Sequence, residues 1–243
     1  MAKATVMVSW DDIPHITNAQ KKAMLASIPP WQRDSRSRGT PQLGAGAIYQ
    51  IVESEIVVPG FAIPKHWTRS FGMDVGWNKT AVVWLAEDRD TSTAYVYDEY
   101  YRGQAEPSVH AAAIKNRGAW IPGAIDPAAR GRSQIDGGKL FDMYSDLGLD
   151  IEKAINAREA GIYAVWERLS QGRLKFFNSC TNVMSEYRLY RRDEKGQVVK
   201  TYDHALDALR YCVMSGLDRG KTEPAGPGGV PWFNYVPPSV WAG

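Results

Sequence analysis

The stretch Tyr202-Asp-His-Ala-Leu-Asp-Ala-Leu-Arg-Tyr211 decides how the rest of the chain is read. It opens a helix spanning Asp203 to Gly216, with Ala205, Leu206, Leu209, Cys212 and Val213 as its apolar stripe. Asp203 and Asp207 sit one turn apart and share the face opposite that stripe, with Arg210 beside them. Taken alone, Asp203 reads as a helix N-cap and His204 as a surface histidine. Carboxylates elsewhere in the chain change that weighting.

Two of them end apolar strands: Asp74 in Phe71-Gly-Met-Asp-Val-Gly-Trp77, and Asp126 in Gly123-Ala-Ile-Asp-Pro127. Either one alone is a common turn former. An aspartate at the end of a core strand is unfavourable unless something compensates its charge, and a hard divalent cation with oxygen ligands does so. Three converging carboxylates can hold two ions roughly 3.5–4 Å apart, an arrangement that hydrolyses phosphodiesters without a protein nucleophile. The order strand-Asp, strand-Asp, helix-Asp is what makes this reading worth pursuing.

The pattern around these residues is α/β. Ser70–Asp74, Ala81–Ala86 and Thr93–Tyr101 read as consecutive strands, Trp120–Asp126, Leu149–Ala154 and Leu174–Phe177 as later ones. Helices are predicted over Pro107–Arg117, Gly138–Leu147, Glu159–Gln171 and Asn182–Tyr190. In Glu159–Gln171 the face is Ile162, Val165, Trp166 and Leu169, closed by Gly172. Arg191–Lys200 reads as a basic hairpin turning at Lys195-Gly196. Before residue 67 a strand at Thr5–Trp10, a helix at Thr17–Ser27 capped by Thr17 and Gln20, an Arg/Ser/Gly/Pro-rich loop at 32–46 and a strand at Ile48–Val58 are expected. The division is 1–66 as a linker following another domain, 67–217 as the catalytic domain, and 218–243 as a Pro/Gly-rich tail bearing Trp232, Phe233, Tyr235 and Trp241.

With 243 residues, 44% of them apolar, the chain can bury a real core. A formal net charge of +2 from 29 basic and 27 acidic residues argues against coating DNA by bulk charge, and leaves local phosphate patches open. Two cysteines, Cys180 and Cys212, cannot build a disulfide framework or a four-cysteine zinc site, and both read as small core residues in a reducing compartment. No apolar run has the length of a membrane span, so an intracellular protein is expected.

The chain from Trp67 to Tyr211 resembles the nuclease domain of tailed-bacteriophage terminase large subunits. The resemblance is carried by Met73-Asp-Val-Gly-Trp-Asn-Lys-Thr-Ala81, Ile121-Pro-Gly-Ala-Ile-Asp-Pro-Ala-Ala129, Glu186-Tyr-Arg-Leu-Tyr-Arg-Arg192 and Asp203-His-Ala-Leu-Asp-Ala-Leu-Arg-Tyr211. Trp10-Asp-Asp-Ile-Pro-His15 and Gly44-Ala-Gly-Ala-Ile-Tyr49 resemble the region between motor and nuclease. The resemblance implies an RNase H-like mixed sheet flanked by helices, with catalytic Asp74, Asp126 and Asp207 holding paired Mg²⁺ or Mn²⁺ ions. Asp203 would be an additional metal-associated carboxylate and His204 a helper. It also implies cutting of double-stranded DNA during genome packaging, portal and small terminase subunit as partners, and the host bacterial cytoplasm as location.

Phosphate contacts are expected from Lys79, Arg130, Arg132, Arg191, Arg192 and Lys195, near or between the carboxylates, giving largely sequence-independent and salt-sensitive binding. The nine tryptophans are read as core. No Gly-x-x-x-x-Gly-Lys-Ser/Thr occurs, and Gly216-Leu-Asp-Arg-Gly-Lys-Thr222 is one residue short and follows a helix. The chain is therefore expected neither to hydrolyse ATP nor to move DNA, as a fragment or one half of a split enzyme. Other RNase H-like nucleases of resolvase or transposase type share the carboxylate pattern. A non-catalytic docking module for portal or packaging proteins is the reading from a different class.

Overall fold

The computed structural model describes residues 9–27, 37, 46–127, 140–193 and 195–224. In chain order the elements are α1 (Asn18–Ser27), α2 (Glu53–Ile56), β1 (Val57–Val58), β2 (Thr68–Asp74), β3 (Thr80–Asp88), β4 (Thr93–Arg102), α3 (Pro107–Lys115), β5 (Gly123–Ile125), α4 (Leu140–Asp146), β6 (Ile151–Lys153), α5 (Arg158–Ser170), β7 (Leu174–Phe177), α6 (Thr181–Leu189) and α7 (His204–Tyr211). A π-helical turn, Cys212–Gly216, prolongs α7.

The strands form one mixed sheet in the order β1-β7-β4-β3-β2-β5-β6. β2, β3 and β4 are antiparallel neighbours, while β2–β5, β5–β6, β4–β7 and β1–β7 are parallel. β3 is buried from Thr80 to Ala86, so its near-continuous apolar run reflects coverage on both faces. One face carries a core of Leu85, Val96, Val165, Phe176, Val183 and Leu209 beneath α5, α6 and α7. The other carries Phe71, Met73, Trp84, Ile114, Ile125 and Tyr144 beneath α3 and α4.

The capping box at Thr17 forms as read: Gln20 N–H donates to Thr17 Oγ1 (3.3 Å) and Thr17 N–H to Gln20 Oε1 (2.9 Å). Gly172 closes α5 at φ +70°. Both cysteines are buried and unpaired with each other. The basic hairpin forms as a short ladder: Arg192 bridges Val198, Asp193 N–H donates to the Gln197 carbonyl (2.8 Å) and Val199 N–H to the Arg191 carbonyl (3.0 Å), with Gly196 at φ +73° in the turn.

Three expectations change, and a fourth falls mostly outside the described residues. Ile48–Val58 is not one strand: Tyr49 packs against Tyr187 and Tyr190, α2 follows, and only Val57-Val58 pairs with β7. Its alternation reflects tucking into the core edge. Thr5–Trp10 lies mostly outside the described residues, and Trp10–Asp12 is a 3-10 turn. Trp166, assigned to the buried stripe of α5, is 40% exposed and lies against Tyr163 on the surface. The last helix is not amphipathic in the expected sense. Ala205 through Tyr211 are all buried, so the acidic face lies inside the molecule with the apolar one.

A close approach explains how α7 sits there. A Cβ on Gly72 of β2 would fall 1.9 Å from the Ala208 carbonyl oxygen, so only glycine lets the helix backbone rest on the strand. Gly161 of α5 plays the matching part behind it, since a Cβ there would meet the Arg210 side chain at 2.5 Å.

Candidate active site

Asp74 and Asp126 are brought together by sheet register. β2 and β5 pair in parallel with Met73 opposite Ile125, and Asp126 N–H donates to the Met73 carbonyl (2.9 Å). Each aspartate is the next residue after that pair, so both leave the sheet at its C-terminal edge, the edge where open α/β sheets place their ligands. Tyr211 of α7 donates its hydroxyl to Asp126 Oδ1 (3.1 Å). His204, the first residue of α7, has Nδ1 2.8 Å from Asp74 Oδ2. The helix therefore grips both strand carboxylates, one from each end.

Asp203 holds the N-cap position of α7; its carbonyl accepts from Asp207 N–H (2.7 Å), but its side chain makes no cap bond. Asp207 is buried between two arginines. Arg210 Nε donates to Oδ1 (3.2 Å) and Arg158 Nη2 to Oδ2 (3.3 Å). Arg210 is 1% exposed; its Nη2 lies 3.1 Å from the same Asp207 oxygen, yet neither Nη atom meets hydrogen-bond geometry. The short separation is an ion pair without a well-directed bond, and it leaves the guanidinium under-satisfied.

The electrostatics fit a cation site. Burial pushes the Asp74 carboxyl up from 3.8 to about 6; the bond from His204 opposes this, and the charges of Asp207 and Asp126 add to it. Burial and then Asp207 likewise raise Asp203. His204 is raised chiefly by its bond to Asp74. Crowded, desolvated carboxylates that resist ionisation are relieved by a divalent cation, and every carboxylate donor here is a hard oxygen. Among the described residues no three acidic, histidine or cysteine groups stand in a ready-made coordinating set. The carboxylates of Asp74, Asp126 and Asp207 are engaged by a histidine, a tyrosine and two arginines respectively.

Of the expected phosphate contacts, Lys79 lies on the loop after Asp74, with Nζ 4.6 Å from the centre of the Tyr101 ring. Arg191 and Lys195 are exposed, whereas Arg192 is engaged by Glu159. Arg130 and Arg132 lie outside the described residues. Lys221 of the false phosphate loop pairs with Asp150 (2.7 Å) and bridges Arg69 of β2.

Sequence reading missed the side chains that hold the site in place. Arg158, at the start of α5, gave no signal of its own. Tyr211 and Glu186 sat inside quoted motifs but received no role. Glu186 is 3% exposed and accepts from Ala205 N–H (2.7 Å) and Leu206 N–H (3.1 Å), a link between helices that no periodicity encodes.

Comparison with known proteins agrees with this architecture. The sequence profile described as "Terminase RNaseH-like domain" matches residues 71–215. The large terminase subunit of Enterobacteria phage LP7 is 33% identical over 214 residues, covering 85% of this chain and 45% of that protein. That of Salmonella phage P22 is 33% identical over 211 residues, covering 84% of this chain and 42% of its own length. The chain thus spans less than half the length of these curated relatives. Among solved structures, the P22 large terminase nuclease domain superposes with a TM-score of 0.66 at 32% identity, over 74% of this chain and 96% of that one. The large terminase of a thermophilic bacteriophage, solved in complex with ADP, gives 0.62 at 22% identity, over 85% and 54%, a likeness of fold. The mixed sheet with its flanking helices is the RNase H-like terminase nuclease fold, and the chain belongs to the terminase RNaseH-like domain family.

Proposed function

We propose that this chain is a divalent-metal-dependent endonuclease that cuts double-stranded DNA during viral genome packaging. The observation that carries the proposal is the pairing of Asp74 and Asp126 at the ends of neighbouring parallel strands, with α7 laid across them. Solved large-terminase nucleases of the thermophilic phage G20c carry bound cobalt or magnesium. The same ion chemistry suits the oxygen donors here.

In this reading Asp74, Asp126 and Asp207 hold two Mg²⁺ or Mn²⁺ ions, with Asp203 beside them. Bound there, such ions would supply charge stabilisation for the attacking and leaving oxygens of phosphodiester hydrolysis. The protein's own part is placement. Tyr211 orients Asp126, His204 orients Asp74, and Arg158 with Arg210 fixes the Asp207 carboxylate. Lys79, Arg191 and Lys195, with Arg130 and Arg132, bind phosphates and carry no sequence information. Arg192 joins them only by leaving Glu159. Portal and small terminase subunit are the proposed partners, and the host bacterial cytoplasm the proposed location. No helix among the described residues is long and apolar enough to cross a membrane.

The test is nicking of supercoiled plasmid with Mg²⁺ or Mn²⁺. The parent should cut and EDTA should stop it; Asp74→Asn, Asp126→Asn and Asp207→Asn should be folded and inactive. If all three cut at the parental rate, the proposal fails.

A further inference from the structure

A helix whose first turn carries reactive groups has a conflict at its N-terminus. Its leading amides need an acceptor, and the residue at the N-cap usually supplies one by folding its own side chain back. Asp203 is a good capping residue in the right place, yet its carboxylate makes no such bond. The acceptor comes instead from α6. Glu186 Oε2 takes the N–H groups of Ala205 (2.7 Å) and Leu206 (3.1 Å), and Oε1 takes the Tyr101 hydroxyl of β4 (2.6 Å).

We propose that Glu186 is a positioning residue, a cap borrowed from a neighbouring helix that fixes the first turn of α7 and releases Asp203 from capping. The claim rests on the nuclease reading above and goes beyond it to a residue that touches neither DNA nor ion. If Asp203 capped the helix itself, its carboxylate would lie back over the second and third residues and be lost to the acidic cluster. The amides that Glu186 holds directly follow His204, whose ring meets Asp74. A shift of that turn moves Asp203 and His204 together. Tyr101 ties the post to the loop after Asp74, because Lys79 lies over its ring at 4.6 Å. A buried carboxylate with three donors is also a rigid support, since its burial is compensated only in this geometry.

A merely structural cap would change stability and leave the activity of folded molecules alone. Glu186→Ala and Glu186→Gln are therefore compared with the parent at a temperature where circular dichroism shows every protein folded, with Mn²⁺ titrated on plasmid DNA. In Glu186→Ala, turnover should fall about ten- to a hundred-fold, as displaced catalytic groups do. The Mn²⁺ half-saturation should rise several-fold while KM for DNA stays at the parental value. Glu186→Gln should recover most of the loss, because its amide oxygen still accepts both N–H groups. Folded Glu186→Ala within about two-fold of the parent in turnover and Mn²⁺ dependence would overturn the proposal, being below any displacement effect.

A readout without catalysis is amide hydrogen exchange at Ala205 and Leu206 in metal-free protein. It should accelerate about ten-fold or more in Glu186→Ala relative to the rest of α7, and unchanged exchange would overturn the proposal. Should Glu186→Ala fail to fold, Tyr101→Phe decides: losing one bond to Glu186 should lower turnover about three-fold and raise the Mn²⁺ half-saturation, and no change in either rejects the role. A parent that cuts no DNA under any metal condition would sink the nuclease reading alone, with the exchange experiment still deciding the placement of α7 by Glu186.

Discussion

The two strand carboxylates and the helix carboxylates reach the same edge of the sheet by different physics. Asp74 and Asp126 are placed by backbone: once β2 and β5 pair in register, both residues must leave the sheet side by side. Asp203, His204 and Asp207 are placed by side chains, through Glu186, Arg158 and Arg210, and by the absence of a Cβ at Gly72. A register is hard to alter with a point substitution, whereas a side-chain network can be taken apart one residue at a time. The strand half should behave as an all-or-none support for chemistry. The helix half, Asp207 itself excepted, should be tunable.

Removing a strand carboxylate gives the largest effect. Asp74→Asn or Asp126→Asn should reduce plasmid nicking by about 10³-fold or more, the loss of several kcal/mol of transition-state stabilisation, with unchanged circular dichroism. Asp203→Asn should fall less steeply, and an equal collapse at all positions would erase the distinction between the halves.

Next is the buried clamp. Arg210→Met leaves the buried Asp207 carboxylate with Arg158 alone of its two arginines, and should lower unfolding stability by about 3–5 kcal/mol. Arg158→Ala removes the more exposed guanidinium, 29% accessible, and should lower it by about 1 kcal/mol or less. Denaturant titration of the pair checks the ranking, and the double variant Arg210→Met/Asp207→Asn should recover part of the larger loss.

Gly72→Ala tests the contact between the halves. The new methyl would press on the Ala208 carbonyl, and stability should fall by about 1–3 kcal/mol as α7 lifts from β2. Turnover should fall further than stability explains, because the helix carries its carboxylates with it.

The last effect is a pH dependence, seen only in the metal-free protein. The Asp74 carboxyl is raised from 3.8 to about 6 in the folded state, so the folded protein holds that proton more tightly than the unfolded chain. Stability from the protonated form is complete below about pH 4 and is lost as pH rises through about 6. In EDTA, Asp74→Asn should lack that loss, so its stability relative to the parent should improve by on the order of 2 kcal/mol between pH 4 and pH 8. Thermal melts at both pH values measure the difference. An offset independent of pH would show that Asp74 is not the group under strain.

The strand half was legible in the sequence because its logic is local. Apolar runs ending in Asp74 and Asp126 marked the strands, and the helix Glu159–Gln171 emerged from its period within one residue at each end. The helix half was only half legible. Asp203 and Asp207 were recognised as one face, but a charged face reads as solvent-facing, and here it is buried against arginines. Trp166 failed for the mirror-image reason, since an aromatic residue at helical spacing reads as core and instead lies on the surface. Ile48–Val58 alternates like a strand, although only Val57-Val58 joins the sheet and Tyr49 and Ile56, seven residues apart, are both buried. The Glu186 cap and the Arg158 pair join residues far apart in sequence and leave no local pattern.

The most direct test of the central claim is a crystal structure of the protein soaked in Mn²⁺, read by anomalous scattering. An ion should be bonded to both Asp74 and Asp126, with α7 contributing at least one further carboxylate and Asp203 making no cap bond. An ion bound elsewhere, or no ion shared by Asp74 and Asp126 at saturating Mn²⁺, would contradict that placement.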